Sequence, residues 1–299
     1  MAFKSGFVTI LGRTNVGKST LLNKIIGQKI VITSDKPQTT RQRLKGVYTD
    51  ENGQIVFIDT PGVHKPKYKL GEYLADEIKN AAAECDVTVL LTDGSVPPGS
   101  GDRWIIDNLL NKNTKIILVI NKLDLIKDEQ KKKENIAAYK VLLAGFDPVA
   151  VNISAKTGKN VDNLIKNIIR QLPKGPKYYD DDMVTDQNIR LIAQEIIREK
   201  ILLLTQDEVP HSCAVVIEKF EETPKITKIQ ASIHVEHDSQ KGIIIGKNGA
   251  MLKKIGTKAR EEIEALVENK VFLELFVKVT DKWRKKTNSL KAFGYALEN

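Results

Sequence analysis

The sequence predicts an α/β domain built on a mainly parallel sheet with helices on both faces, followed by a smaller α+β domain. Three observations lead there. Through residue 172, short apolar runs rich in β-branched residues alternate with segments of helical spacing, the pattern of βαβ units. Pro173, Gly175 and Pro176 then stop a helix and stiffen the chain, and a polar, acidic stretch follows. Beyond it the element order changes to helix, strand, strand, helix, helix, strand. The expected division is a first domain at 1–172, a linker at 173–185 and a second domain at 186–299.

Taken in order, residues 7–11, 55–58, 87–91 and 116–120 read as buried strands, each ending at a polar or glycine-bearing loop. Residues 19–26, 70–83 and 161–172 have helical spacing. In such a sheet, ligand chemistry gathers at the carboxyl ends of the strands. The second domain opens with a helix at 186–204. Strands at 214–220 and 226–235 flank a turn at Thr223-Pro224, helices lie on either side of 246–249, and a strand at 271–279 closes the unit. No internal repeat is present, and Lys131-Lys132-Lys133 reads as a solvated helix start.

Composition sets the outer limits. With 41% hydrophobic and 28% charged residues, the chain can bury cores and is not disordered throughout. No apolar run approaches the ~18 residues of a membrane span, and the N-terminus has no signal-peptide pattern. Cys85 and Cys213 are too few for a disulfide framework or a clustered zinc site, so a reducing cytoplasm is expected. The net charge of +9 comes entirely from residues 1–175. The remainder is balanced, yet 241–260 holds Lys241, Lys247, Lys253, Lys254, Lys258 and Arg260 with no acid. A second basic cluster spans 278–291. Such segregation fits a polyanion surface, with solvated helix faces as the alternative.

Gly12, Arg13, Thr14, Asn15, Val16, Gly17, Lys18 and Ser19 match G-x-x-x-x-G-K-[ST], between a predicted strand and a predicted helix. Glycines there let backbone N–H groups and the helix N-terminus face phosphate. Lys18 is expected on the β- and γ-phosphates and Ser19 on Mg²⁺, with Thr20 completing the nucleotide contacts. Asp59, Thr60, Pro61 and Gly62 end the next strand, a place for a carboxylate that holds Mg²⁺ and for a glycine N–H directed at the γ-phosphate. Asn121, Lys122 and Asp124 follow another strand. A carboxylate accepts from both N1–H and the 2-amino group of guanine, so Asp124 argues for GTP over ATP. Ser154, Ala155 and Lys156 close the base pocket.

With Gln38-Thr39-Thr40-Arg41, these residues resemble the translation-factor-related class of P-loop GTPases, and within it the group containing TrmE and Era. The resemblance implies that Thr40 closes on Mg²⁺ when γ-phosphate is present, giving Ser19, Thr40 and Asp59 as metal ligands and Lys18, Thr40 and Gly62 as catalytic positions. The position where Ras-like enzymes carry a water-orienting glutamine is Val63, which cannot hydrogen-bond, so slow hydrolysis is expected. Asn15 matches an asparagine that binds K⁺ in relatives; a loop-shaping asparagine is the alternative. Asp35-Lys36-Pro37 departs from the pattern, and its proline stiffens the switch loop.

In the second domain, Ile244, Ile245, Gly246, Lys247, Asn248 and Gly249 place a G-x-x-G loop between two helical patterns. With the basic stretch after it and the α-β-β-α-α-β order, it resembles the type II KH fold, which clamps a single-stranded backbone. Lys247, Lys253 and Lys254 are expected on phosphate. Trp283, Arg284 and Lys285 extend that surface, or Trp283 is a structural anchor. His234 and His237 lie on opposite strand faces, which argues against a metal site.

A GTPase domain, linker and type II KH domain together resemble the Era family. That resemblance implies binding of the 3′ end of 16S rRNA during 30S maturation, control of RNA affinity by GTP state, and peripheral association with the inner membrane. A monomer is expected. Two other readings compete: an RNA-binding assembly placeholder with a largely structural nucleotide domain, and a lipid-binding signalling GTPase.

Overall fold

The computed structural model describes residues 2–36, 39–41, 43–62, 68–110, 114–206 and 208–295. Packing divides the chain into two units. The first comprises Met1–Val31, Thr40–Lys65 and Leu74–Asp186, and the second Ile32–Thr39, Pro66–Tyr73 and Gln187–Asn299.

The first unit is a six-stranded sheet. Its strands are β1 (Lys4–Leu11), β2 (Leu44–Thr49), β3 (Gly53–Asp59), β4 (Val87–Asp93), β5 (Ile116–Asn121) and β6 (Val149–Asn152). The order is β2-β3-β1-β4-β5-β6, parallel except where β2 pairs antiparallel with β3. The central strands are buried along their length, which is why they read as continuous apolar runs. Helices α1 (Lys18–Ile26) and α5 (Val161–Gln171) pack on β3, while α2 (Lys69–Ala83), α3 (Ser100–Leu109) and α4 (Glu129–Leu142) contribute Ile78, Ile105 and Tyr139 to a core with Leu11, Leu90 and Leu118.

The stretch after Leu172 packs with the first unit. Ser5 N–H donates to the Pro173 carbonyl at 3.1 Å, Val47 N–H to that of Val184 at 2.8 Å, and Gln54 accepts from the Tyr178 and Tyr179 amides at 2.7 and 3.0 Å. The linker expected at 173–185 is therefore laid along β1, β2 and β3, because edge backbone groups and buried Gln54 need partners. The packing departs from the expected division in a second way: residues 32–39 and 66–73 cluster with the C-terminal part of the chain.

The second unit contains α6 (Ile189–Leu204), α7 (Val209–Ser212), β7 (Ala214–Glu222), β8 (Thr227–Val235), α8 (Asp238–Ile245), α9 (Ala250–Val267), β9 (Val271–Val279) and α10 (Thr287–Ala292). β8 lies between antiparallel β7 and parallel β9. Alternate residues Ile229, Ala231, Ile233 and Val235 of β8 face a core shared with Ile197, Ile201, Ile255 and Ile263 of the helices.

Candidate nucleotide and nucleic-acid sites

In the first unit the chain leaves β1 and enters α1 through Gly17, whose φ of 101° is left-handed and whose Cβ, if present, would stand 2.6 Å from Asn121 Nδ2. Only glycine fits there. Asn121 then ties two loops together: its Nδ2 donates to the Val16 carbonyl and its Oδ1 accepts from the Ala155 amide, both at 2.8 Å. Lys122 donates to the Asn15 carbonyl at 2.5 Å and pairs with Asp93 at 2.9 Å. Thus Asn121 and Lys122 brace the loops around the pocket, while Asp124 is exposed and open to a ligand. Ser154 and Ala155 are buried beneath Lys156, which is exposed. Asn15 has φ 62°, a conformation asparagine tolerates, and this fits the loop-shaping alternative.

Lys18 is 7% exposed and donates to the Gly12 and Arg13 carbonyls at 3.1 and 3.0 Å. Burial lowers its pKa to about 8, against the opposing pull of Asp59. Asp59 is fully buried at the end of β3, and burial raises its carboxyl above the usual range despite Lys18 and the Thr40 and Ser19 hydroxyls. Asp59 Oδ2 accepts from Thr40 Oγ1 at 3.0 Å and from Ser19 Oγ at 3.3 Å, and the two hydroxyls lie 3.2 Å apart. Asp59 Oδ1 is buried with no hydrogen-bond partner among the described residues. Two hydroxyls and a half-satisfied carboxylate are hard oxygen donors of the kind Mg²⁺ takes, so the expected ligand set fits that ion.

Gly62 lies against the phosphate loop: a Cβ there would stand 2.9 Å from Thr14 Cα. Thr60 and Pro61 are buried, and the Thr60 hydroxyl donates to the Ile10 carbonyl at 2.7 Å, so its side chain serves the sheet. Thr20 is partly buried in the first turn of α1. Pro37, Gln38 and Val63 lie outside the described residues. Arg41 is fully buried, and Arg43 pairs with Glu84 at 2.6 Å.

In the second unit, α8 and α9 meet at Gly246, with φ 70° and a Cβ position 2.9 Å from the Met251 amide. Lys247 and Asn248 are exposed at the tip, and Lys253 and Lys254 are exposed on α9. A groove of about 590 Å³ runs from Gly249 along α9 and β9. Leu252, Leu273 and Leu275 give it an apolar floor, and Lys253 and Arg260 a basic rim. Phe272 also lines it and is 51% exposed. Sequence reasoning passed over Phe272, because it lies inside the continuous apolar run Val271-Phe272-Leu273, where no alternation marks the exposed face.

Two residues expected on the RNA surface are in the core. Ile244 is fully buried in the unit's main cluster, because it faces inward on α8. Trp283 is also fully buried, donating its indole N–H to the Ser212 carbonyl at 2.8 Å, so it is the structural anchor. Arg284 pairs with Glu236, and its guanidinium lies 4.8 Å from the Tyr68 ring centre; Lys285 is exposed beside the same ring. His234 is bonded to Thr280, and no metal-holding cluster of His, Cys, Asp or Glu occurs among the described residues.

Thr33, Lys36 and Thr39 are held within the second unit by α6 and the residue that follows it. Glu199 accepts from the Thr33 amide at 2.9 Å, Arg198 donates to the Thr39 carbonyl, and Lys36 to that of Thr205. Arg198 is fully buried and paired with Glu195. These buried charges had no sequence signal, since helical charges ordinarily read as a solvated face.

Comparison with known proteins completes the picture. Residues 7–122 match the family model described as 50S ribosome-binding GTPase, and residues 208–284 match the KH domain. The chain is 51% identical to GTPase Era of Nostoc sp. (strain PCC 7120), covering 99% of this chain and 91% of the relative. It is 50% identical to GTPase Era of Geotalea uraniireducens, covering 98% of both. A solved structure of Era in complex with MgGDPNP and nucleotides 1506–1542 of 16S ribosomal RNA is 40% identical, with a TM-score of 0.94 over 99% of this chain and 100% of that one. A tyrosine-to-alanine variant of Aquifex aeolicus Era bound to GDP·AlF4⁻ gives the same identity and TM-score over 98% and 100%. The chain belongs to the Era family of GTPases.

Proposed function

We propose that this GTPase couples its nucleotide state to binding of the 3′ end of 16S rRNA and acts in assembly of the 30S subunit. The observation that carries the coupling is that consecutive residues Thr39 and Thr40 pack in different units. Thr39 is held by α6, in the unit that carries the G-x-x-G loop, whereas Thr40, the next residue, bonds Asp59 beside the phosphate loop. A change in Thr40 on nucleotide binding is therefore transmitted by one peptide bond to a segment anchored in the other unit. The solved Era structure with MgGDPNP and the 16S segment supports the choice of ligands.

Within the nucleotide site, Lys18 exchanges its carbonyl partners for phosphate oxygens, and Gly62 presents its N–H to the γ-phosphate. Ser19, Thr40 and Asp59 would hold Mg²⁺, which supplies positive charge to the transferring phosphoryl group. With Val63 at the glutamine position, hydrolysis is slow without RNA. Asn15, beside its loop-shaping role, would be the residue to hold K⁺, which would supply further positive charge. The division into a GTP-binding domain, linker and KH domain is retained as a functional one. The protein works as a monomer in the cytoplasm, with a fraction on the inner membrane. No helix among the described residues is long and apolar enough to cross a membrane.

The test is single-turnover hydrolysis of GTP and ATP in K⁺ and Na⁺, with and without an oligonucleotide of the 16S 3′ end. The expected result is GTP-only turnover that rises with RNA, and a K⁺ requirement that assigns Asn15. Tight RNA binding with no turnover in any condition would establish the placeholder reading instead.

A further inference from the structure

The phosphate loop holds an arginine whose side chain is paired with a carboxylate of α3. Arg13 Nε lies 3.0 Å from both carboxylate oxygens of Asp102, near the start of α3. Asp102 is 1% exposed, so its charge depends on that partner. It also accepts from the Gly99 amide at 2.8 Å, which fixes the first turn of α3. The bed for the arginine stem is formed by the same turn: a Cβ on Gly101 would stand 2.8 Å from Arg13 Cδ, and one on Gly99 would stand 3.2 Å from Arg13 Nη1. On the other side of Thr14, Lys122 holds the Asn15 carbonyl. The two anchors thus bracket Thr14, the residue on which Gly62 rests.

We propose that Arg13 and Asp102 are positioning residues that set how long guanine nucleotide stays bound. Committed to Asp102, the guanidinium acts through the backbone of its own loop and takes no part in charge stabilisation at phosphate. The clasp keeps the Arg13 carbonyl, the Lys18 carbonyl partner, and the following N–H groups in their phosphate-receiving arrangement before nucleotide arrives. Without the clasp, that arrangement is ordered on each binding event, and nucleotide leaves faster.

The test measures release of a fluorescent GDP by stopped flow, and single-turnover hydrolysis at saturating GTP, in the full-length protein. Asp102→Asn is expected to speed GDP release about tenfold, equivalent to about 1.4 kcal/mol, while the hydrolysis rate constant stays within twofold. Arg13→Gln is expected to give the same acceleration, the Arg13→Gln/Asp102→Asn double variant no more than either alone, and Arg13→Lys a partial recovery. Should Asp102→Asn fail to fold, Arg13→Gln decides alone, since Arg13 is partly exposed. Unchanged release in Arg13→Gln overturns the proposal, as do strictly additive effects. A fall in the rate constant of Asp102→Asn at saturating GTP also overturns it, because the pair would then act on the chemistry.

Discussion

Two loops in this chain are proposed to meet phosphate, and they lie in opposite electrostatic surroundings. The loop before α1 surrounds a buried lysine, and the carboxylate near it is buried with one oxygen unpartnered. The loop between α8 and α9 buries none of its three residues Lys247, Asn248 and Gly249, and puts its lysine in water. Both use glycine for close backbone approach, at Gly17 and Gly246. The difference teaches what each ligand demands. A single triphosphate with its ion is held by groups already desolvated, which favours tight, specific binding. A flexible single strand meets exposed charge beside an apolar groove, which favours reversible, salt-sensitive binding.

The sharpest test of this contrast removes the anchor beneath the exposed loop's unit. Trp283→Ala should cost about 3–5 kcal/mol of stability by leaving a cavity and an unpaired Ser212 carbonyl. Thermal unfolding reads this directly, and RNA affinity of the fraction still folded should stay near wild type. Lys18→Ala should weaken GTP and GDP by about 100–1000-fold, roughly 3–4 kcal/mol, in titration calorimetry. Oligonucleotide affinity of the nucleotide-free protein should change less than about twofold.

The buried lysine also carries a pH signature. Its folded pKa of about 8 lies below the 10.5 of an exposed lysine, so between those values the unfolded chain binds the extra proton. Stability of the nucleotide-free protein should therefore rise with pH across that window, by about 3 kcal/mol. The rise should be absent in Lys18→Met, measured by urea unfolding at stepped pH. The smallest effect belongs to the exposed loop. Lys247→Asp with Asn248→Asp should lower RNA affinity about 10–100-fold and flatten its salt dependence by about one unit of slope, leaving GTP binding unchanged. Equal losses at both ligands would break the comparison.

Much of the first unit was legible in the sequence, because a parallel strand buried on both faces leaves a continuous apolar run and its ligand loop follows at once. β1, β3, β4 and β5 were read in this way. β2 was not, since its run Leu44–Thr49 is short and carries a lysine and a glycine, as an edge strand can. Helix α6 was found, but not what its charges do. Glu195, Arg198, Glu199 and Lys200 are all buried, and only their partners on residues 32–39 and on α9 explain them.

What the sequence determined by itself is the chemistry of the contacts: which residues can wrap phosphate, donate oxygen to Mg²⁺, tell guanine from adenine, and approach a nucleic-acid backbone. Those depend on residue type at fixed local spacing, and local spacing is written in the chain. The tertiary structure decided which side chains are free to use that chemistry. Arg13 is taken by Asp102, Trp283 by its core, and Thr39 by Arg198, across separations of 89, 71 and 159 residues. Such pairings arise where elements distant in sequence pack together, and no local pattern encodes them.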